Sequence, residues 1–215
     1  MLNDVVFNNQ ISAYDDWNIV LTKAEIPFPT AKTSTVDIKG ADGLIDLSEV
    51  TSGDIKYNNR TIKLTFEMLN DKDYDTLMSE IGNYLHGKKI KFTFTNDDDY
   101  YYMGRATISN WECIKRKGKI VLSIDSDPYK YFVIETVINL ALNNQTKSIV
   151  LPNSRKKVSP TLTVTGNLTL IYNDIEYPLN EGTQQIIGFQ LQEGANVVKF
   201  RGTGTVKIQY RQGCL

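Results

Sequence analysis

Between Thr61 and Met68 every second residue is apolar: Ile62, Leu64, Phe66 and Met68 alternate with Thr61, Lys63, Thr65 and Glu67. A β-strand turns successive side chains to opposite faces, so this spacing predicts a strand with one buried and one solvated face. The pattern recurs at residues 89–95, 102–108 and 119–125, then at 161–165, 168–172, 197–201 and 205–210. Strands with one wet face belong to antiparallel sheets, and their short connections carry the Gly, Asn and Asp that hairpins require. The expected fold class is mainly β.

One segment departs from the alternation. Tyr74, Leu77, Met78, Ile81 and Leu85 fall at helical spacing, which predicts an amphipathic helix over 71–85 lying on a sheet, with a strand on each side. Asn70 or Asp71 can accept the first helix N–H groups, and Asp71, Asp73 and Asp75 suit that positive end. Gly87 supplies a left-handed stop, followed by Lys88 and Lys89.

The net charge of −1 over 215 residues hides an asymmetry. Residues 1–135 hold 16 Lys+Arg against 21 Asp+Glu, net −5, whereas residues 136–215 hold 8 against 4, net +4. Asp127-Pro128 reads as a turn, because proline is barred from a central strand. Residues 136–157 read as a linker, through Asn143-Asn144 and the basic Arg155-Lys156-Lys157, before a new strand series. Two β domains are expected, 1–135 and 136–215.

Reactive side chains are scarce. A histidine-based triad or a multi-histidine metal site would have to run through His86, the one histidine, which sits at the expected helix end where a cation is favourable. Cys113 and Cys214 lie 101 positions apart, form no zinc-type or CxxC spacing, and read as unpaired thiols. The sequons at Asn59, Asn144 and Asn167 read as chance matches, because Met1-Leu2-Asn3-Asp4 opens no secretion signal. Apolar runs such as Tyr131 to Ile134 are too short to span a bilayer.

Four motifs invite chemistry and have plainer readings. Asp97-Asp98-Asp99 has the carboxylates of a hard-cation site but falls between two strands, as a solvated hairpin tip. Gly202-Thr203-Gly204 is followed by a strand, not the helix that a phosphate-cradling loop needs, and reads as a hairpin turn. Lys115-Arg116-Lys117-Gly118-Lys119 and Arg155-Lys156-Lys157 read as solvated turns in a slightly acidic chain. Tyr100-Tyr101-Tyr102 lacks the interleaved basic residues of a base-stacking platform and reads as core or interface. No catalytic, cofactor-binding or metal-ligating residue is expected, and the chain is not read as an enzyme.

The order of landmarks resembles the distal tail protein family of long-tailed phages infecting Gram-positive bacteria. The segment Lys39-Gly40-Ala41-Asp42-Gly43-Leu44-Ile45-Asp46-Leu47 is followed by the strand Thr61–Met68 and the helix. The first domain then closes with Ile124-Asp125-Ser126-Asp127-Pro128-Tyr129-Lys130-Tyr131. The second domain continues the likeness in Asn153 to Pro160 and Leu162-Thr163-Val164-Thr165-Gly166. Gly194-Ala195-Asn196, Gly202-Thr203-Gly204 and Tyr210 to Leu215 resemble the family's closing hairpin. Its C-terminal domain is short for the family.

The resemblance implies an N-terminal β-sandwich with its helix and a protruding hairpin, and a smaller, galectin-like C-terminal antiparallel sandwich. It implies a homo-hexameric ring at the distal end of a virion tail, between the tail tube protein and the tail-associated hub protein. It further implies an outward C-terminal domain that carries or neighbours receptor-binding or host-contact proteins, and the expectation is of no membrane and no cofactor. Assembly by sheet edges needs long strands whose unpaired groups meet a neighbour, and a closed ring satisfies them. The net −5 of residues 1–135 adds the expectation of an acidic lumen through which DNA slides without specific binding, with Lys88, Lys89 and Lys115 to Lys119 on outer or stacking surfaces. A tail tube or contractile-baseplate ring protein is a close variant. From another class, a carbohydrate-binding module would use exposed Tyr172 and Tyr177, with Asn173, Asp174 and Glu176 either lining a saccharide site or forming a hairpin turn.

Overall fold

In the computed structural model, residues 4–50, 53–68, 74–114 and 117–215 are described, without the side chains of residues 113, 114 and 117. The expected helix entry at Asn70, Asp71 and Asp73, the N-terminal Met1 to Asn3, Lys115, Arg116 and the Cys113 side chain lie outside that description. The chain is mainly β, with antiparallel sheets and one described helix, and it divides into Met1–Lys130 with Leu215 and Tyr131–Cys214.

The first unit contains β1 (Val5–Phe7), β2 (Ile11–Ser12), β3 (Ile19–Glu25), β4 (Ala31–Lys32), β5 (Thr35–Asp37), β6 (Leu44–Asp46), β7 (Lys56–Tyr57) and β8 (Arg60–Met68). Helix α1 (Tyr74–Leu85), β9 (Lys89–Phe94), β10 (Tyr100–Ile114) and β11 (Lys117–Ser126) follow. Seven strands pair in the order β2-β1-β9-β10-β11-β8-β3. The alternation in β8 buries Ile62, Leu64 and Phe66 and leaves Thr61, Lys63 and Glu67 exposed. Those apolar faces join Phe7, Trp17, Ile90, Phe92, Leu122 and Ile124 in one core.

Phe7 of β1 lies 6.3 Å from Phe66 of β8, ring centre to ring centre, although three strands separate them in the sheet. The sheet therefore coils until its two ends share a core. Helix α1 covers part of it with Leu77, Ile81 and Leu85, and the Trp17 indole N–H donates to Glu80 Oε1 at 3.0 Å. Met78, expected on the buried stripe, is exposed instead. Gly87 stops the helix with φ +75°, and its N–H donates to the Ala106 carbonyl at 2.8 Å.

The second unit is built from β13 (Thr136–Asn153), β14 (Thr161–Tyr172), β15 (Ile175–Leu179), β16 (Gly182–Gln185), β17 (Gly194–Tyr210) and β18 (Gly213–Cys214), after β12 (Lys130–Phe132) at the boundary. Residues 136–153 are thus an 18-residue strand, not a linker, because Leu140, Leu142 and Leu151 bury into the core. The sheet order is β13-β17-β14-β15, with β16 also on β14.

Gly202-Thr203-Gly204 is not a hairpin turn either. β17 runs straight through it, and so does β14 through Gly166, merging strands that the sequence pattern separates. The inward side chains of β17 are Asn196, Val198, Phe200, Val206, Ile208 and Tyr210, and the two inward places between Phe200 and Val206 are Gly202 and Gly204. A Cβ at either would overlap the carbonyl oxygen of Asn167 or Thr165, and one at Gly166 would lie 2.6 Å from that of Thr203. Removing side chains on the inner side of a bend lets long strands fold over without a break. β13 meets the same corner with a bulge, where pairing shifts between Leu142↔Gly204 and Gln145↔Gly202 and Asn144 takes φ +49°. The halves of the sheet beyond the corner face one another across a single core that includes Phe189 and Leu191.

Candidate assembly surface

Between β3 and β8 the chain leaves the first unit's sheet. Pro27 and Pro29 break the strand habit after Glu25, and the described residues 26–50 and 53–58 hold two short ribbons, β4 with β7 and β5 with β6. The base of this arm is held by Arg60, whose Nη1 donates to the Pro27 carbonyl at 3.3 Å while its guanidinium lies 5.4 Å from the Tyr102 ring centre. The Asn58 N–H donates to the Thr30 carbonyl at 2.9 Å. Farther out, the Leu47 N–H donates to the Ser34 carbonyl at 2.8 Å, and the Asp46 carboxylate accepts from both the hydroxyl and the N–H of Ser48. Those bonds hold the Asp46 carboxyl below the usual carboxylate range.

Local hydrogen bonds therefore give the arm a shape, but none of its described residues joins the first unit's buried core. Val36, Ile38, Leu44, Ile45 and Leu47 are all exposed, and Phe28, Val50 and Leu44 expose 79%, 73% and 63% of their surface. An isolated two-stranded ribbon is at best marginally stable in water. Exposed apolar residues gathered in one segment are a feature of interaction surfaces. The alternation signal did not reveal the arm, because β4 to β7 are two or three residues long. The signal available was two prolines followed by apolar residues with no consistent period.

The other singled-out residues have local partners. His86 Nδ1 accepts from the Ile108 N–H at 3.1 Å, so the imidazole acts here as an acceptor beside the sheet. Asp97 at the hairpin tip pairs with Lys130 at 3.0 Å. Lys130 also lies over the Tyr100 ring at 3.9 Å and Lys91 over Tyr101 at 4.2 Å. The fold thus brings to the tyrosine run the cations that its sequence neighbours lack, and their partners are protein rings. In the second basic run, Arg155 pairs with Glu193 at 2.9 Å and Lys156 lies over Tyr131 at 4.5 Å. Among the described residues no three His, Cys, Asp or Glu side chains cluster as metal ligands, and no helix is long and apolar enough to cross a membrane.

The saccharide reading loses its aromatic faces. Tyr172 is buried, its hydroxyl 3.0 Å from both the Gln190 carbonyl oxygen and Asn196 Oδ1, which share its one proton, and burial pushes its phenol above the ordinary value. Tyr177 is half-buried against the same core. Asn173 and Asp174, at φ +51° and +60°, form the two-residue turn that joins Tyr172 to Ile175. A shallow groove of about 380 Å³ on the outer sheet face is lined by Thr163, Thr165, Thr205, Asn139 and Lys207 and by no aromatic ring.

A coiled sheet with one described helix, preceding a corner-folded sheet, defines the class of fold. No family model matches the chain, and no curated protein does. Among solved structures it is similar to the crystal structure of the SPP1 Dit (gp 19.1) protein, described as a paradigm of the hub adsorption apparatus in phages infecting Gram-positive bacteria. The TM-score is 0.70 at 16% identity, over 98% of this chain and 99% of that one. At that identity the likeness is one of fold.

Proposed function

We propose that the chain is a structural virion protein of a phage tail tip, in which six copies form a ring joining the tail tube to the baseplate hub and host-binding proteins. The observation that carries this reading is the exposed apolar arm, on a fold similar to that of an adsorption-hub protein. In this reading, residues 1–135 form the ring and 136–215 face outward. Each arm lies on the neighbouring copy, where Phe28, Leu44 and Val50 leave water. The protein is not an enzyme, and it works at the distal end of the tail after synthesis in the host cytoplasm.

The first unit's sheet ends in short β2 and in β3, which carries a bulge between Leu21 and Lys23 and the exposed pair Lys23–Glu25 at 2.7 Å. Such features oppose edge-to-edge pairing, so the arm, not a strand edge, makes the ring contact. The lumen is acidic, in keeping with the net −5 of residues 1–135, and lets DNA pass without specific binding.

Light scattering and negative-stain microscopy of the purified protein test this. Rings of six are expected, and serine at Phe28, Leu44 and Val50 is expected to abolish them without changing thermal unfolding. A monomer at all concentrations, even with tube protein added, overturns the reading. A lumen dominated by Lys and Arg in the assembled ring overturns the part concerning DNA.

A further inference from the structure

Among the described residues, the second unit's sheet has one long edge with which no strand pairs. Its edge strand β15 is five residues long with Glu176 and Pro178, and β16 is four residues long, whereas β13 runs for 18 residues. β13 pairs with β17 along one side, and among the described residues no strand pairs with the other. It carries a single charge, Lys147, and its one proline, Pro152, lies next to its end. A long edge with few charges presents a row of backbone donors and acceptors to any extended segment.

The charges indicate what that segment is. β13 and β17 together hold Lys147, Lys199, Arg201 and Lys207 and no carboxylate. Arg201 is engaged by Glu176 of β15 at 2.8 Å, and Lys199 sits opposite Ser148 across the ladder. A strand added outside β13 would lie about 10 Å from β17, two strand spacings, within reach of a lysine laid across the sheet face. Lys147 stands opposite inward-facing Phe200 and Lys199 opposite Ser148, on the outer face with exposed Val150 and Val197, so the carboxylates of an alternating strand meet one lysine or the other according to its register. Self-pairing of β13 would instead bring two carboxylate-free, lysine-bearing strand pairs together.

We propose that the open edge of β13 is a strand-addition site for an extended, acidic segment of a different protein. The site belongs to the second unit alone and does not depend on ring formation, so failure of either proposal leaves the other standing.

The test uses the full-length protein and a capped peptide alternating valine and glutamate, with a valine–lysine peptide as control. Hydrogen exchange is expected to slow at alternate amides of residues 146–151 on adding the glutamate peptide only. Of Ser148→Pro and Ile149→Pro, one removes an edge-facing N–H and the other an N–H turned to β17. The variant that keeps wild-type thermal stability is expected to lose the binding. Should neither proline variant fold, the double charge reversal Lys147→Glu with Lys199→Glu decides. It is expected to weaken the glutamate peptide by about tenfold and to favour the lysine peptide, from exposed-pair energies. Protection elsewhere, equal binding of both peptides, binding retained in the stable proline variant, or association of the protein through β13 in place of peptide binding overturns the proposal.

Discussion

The two units bury their cores by different means. The first coils its seven strands β2-β1-β9-β10-β11-β8-β3 until Phe7 meets Phe66, adds Trp17 and lays α1 across them. The second has no described helix and folds one sheet over a corner where three inward positions are glycine. Aromatic volume closes the first and absent volume closes the second. The lesson is that a glycine inside an alternating pattern is a structural instruction when it falls on the inward parity.

The sharpest way to break this comparison is at Gly204, where φ is +146° and a Cβ would overlap the Thr165 carbonyl oxygen. Gly204→Val is expected to destabilise the second unit by about 4 kcal/mol or more, read as loss of its urea transition while the first unit's transition stays. Survival of both transitions would show that the corner is held by something other than missing side chains.

A smaller effect is expected at Asn196, the buried amide that binds the 189–194 loop to the sheet. Its Oδ1 accepts from the Tyr172 hydroxyl at 3.0 Å and the Gln192 N–H at 2.8 Å, and its Nδ2 donates to the Leu151 and Gln192 carbonyls at 3.2 and 2.8 Å. Asn196→Ala leaves these groups unmatched, which is expected to cost about 2 kcal/mol by denaturant unfolding. An unchanged midpoint would mean that the loop is held by Phe189 and Leu191 alone.

Alkaline titration distinguishes the units in a third way. Burial raises the phenols of Tyr172 and Tyr210 above the ordinary 10.0. The native second unit therefore keeps protons that the unfolded chain has released. Its stability is flat below about pH 10 and falls as pH rises through the native values, an effect expected to vanish in the Tyr172→Phe, Tyr210→Phe double variant.

The smallest effect sharpens the contrast between glycines. Gly82 lies within α1 with nothing near a built Cβ, so Gly82→Ala is expected to stabilise the first unit by about 0.5–1 kcal/mol. A destabilisation would mean that the helix face at Gly82 is covered by a partner.

What the sequence determined by itself was everything that repeats locally. The alternation of Ile62, Leu64 and Phe66, the helical spacing of Leu77, Ile81 and Leu85, and the Gly87 stop are consequences of backbone periodicity and need no distant partner. The Asn173-Asp174 turn, open to two readings in sequence, was decided by its pairing. Tertiary structure also decided which glycines turn and which bend. Gly202 and Gly204 look alike in sequence whether β17 ends or continues, and only the approach of Asn167 and Thr165 settles it. Residues 136–153 likewise read as a linker because their bulge flips the inward parity halfway, from Leu140 and Leu142 to Leu151 and Asn153. A protruding hairpin was implied by the resemblance, but the arm's exposed apolar residues and the open β13 edge could not be read from periodicity for the same physical reason: whether an apolar residue or a backbone amide lacks a partner depends on chain segments far away in sequence. Periodicity records only which way a side chain points, and packing decides what it meets.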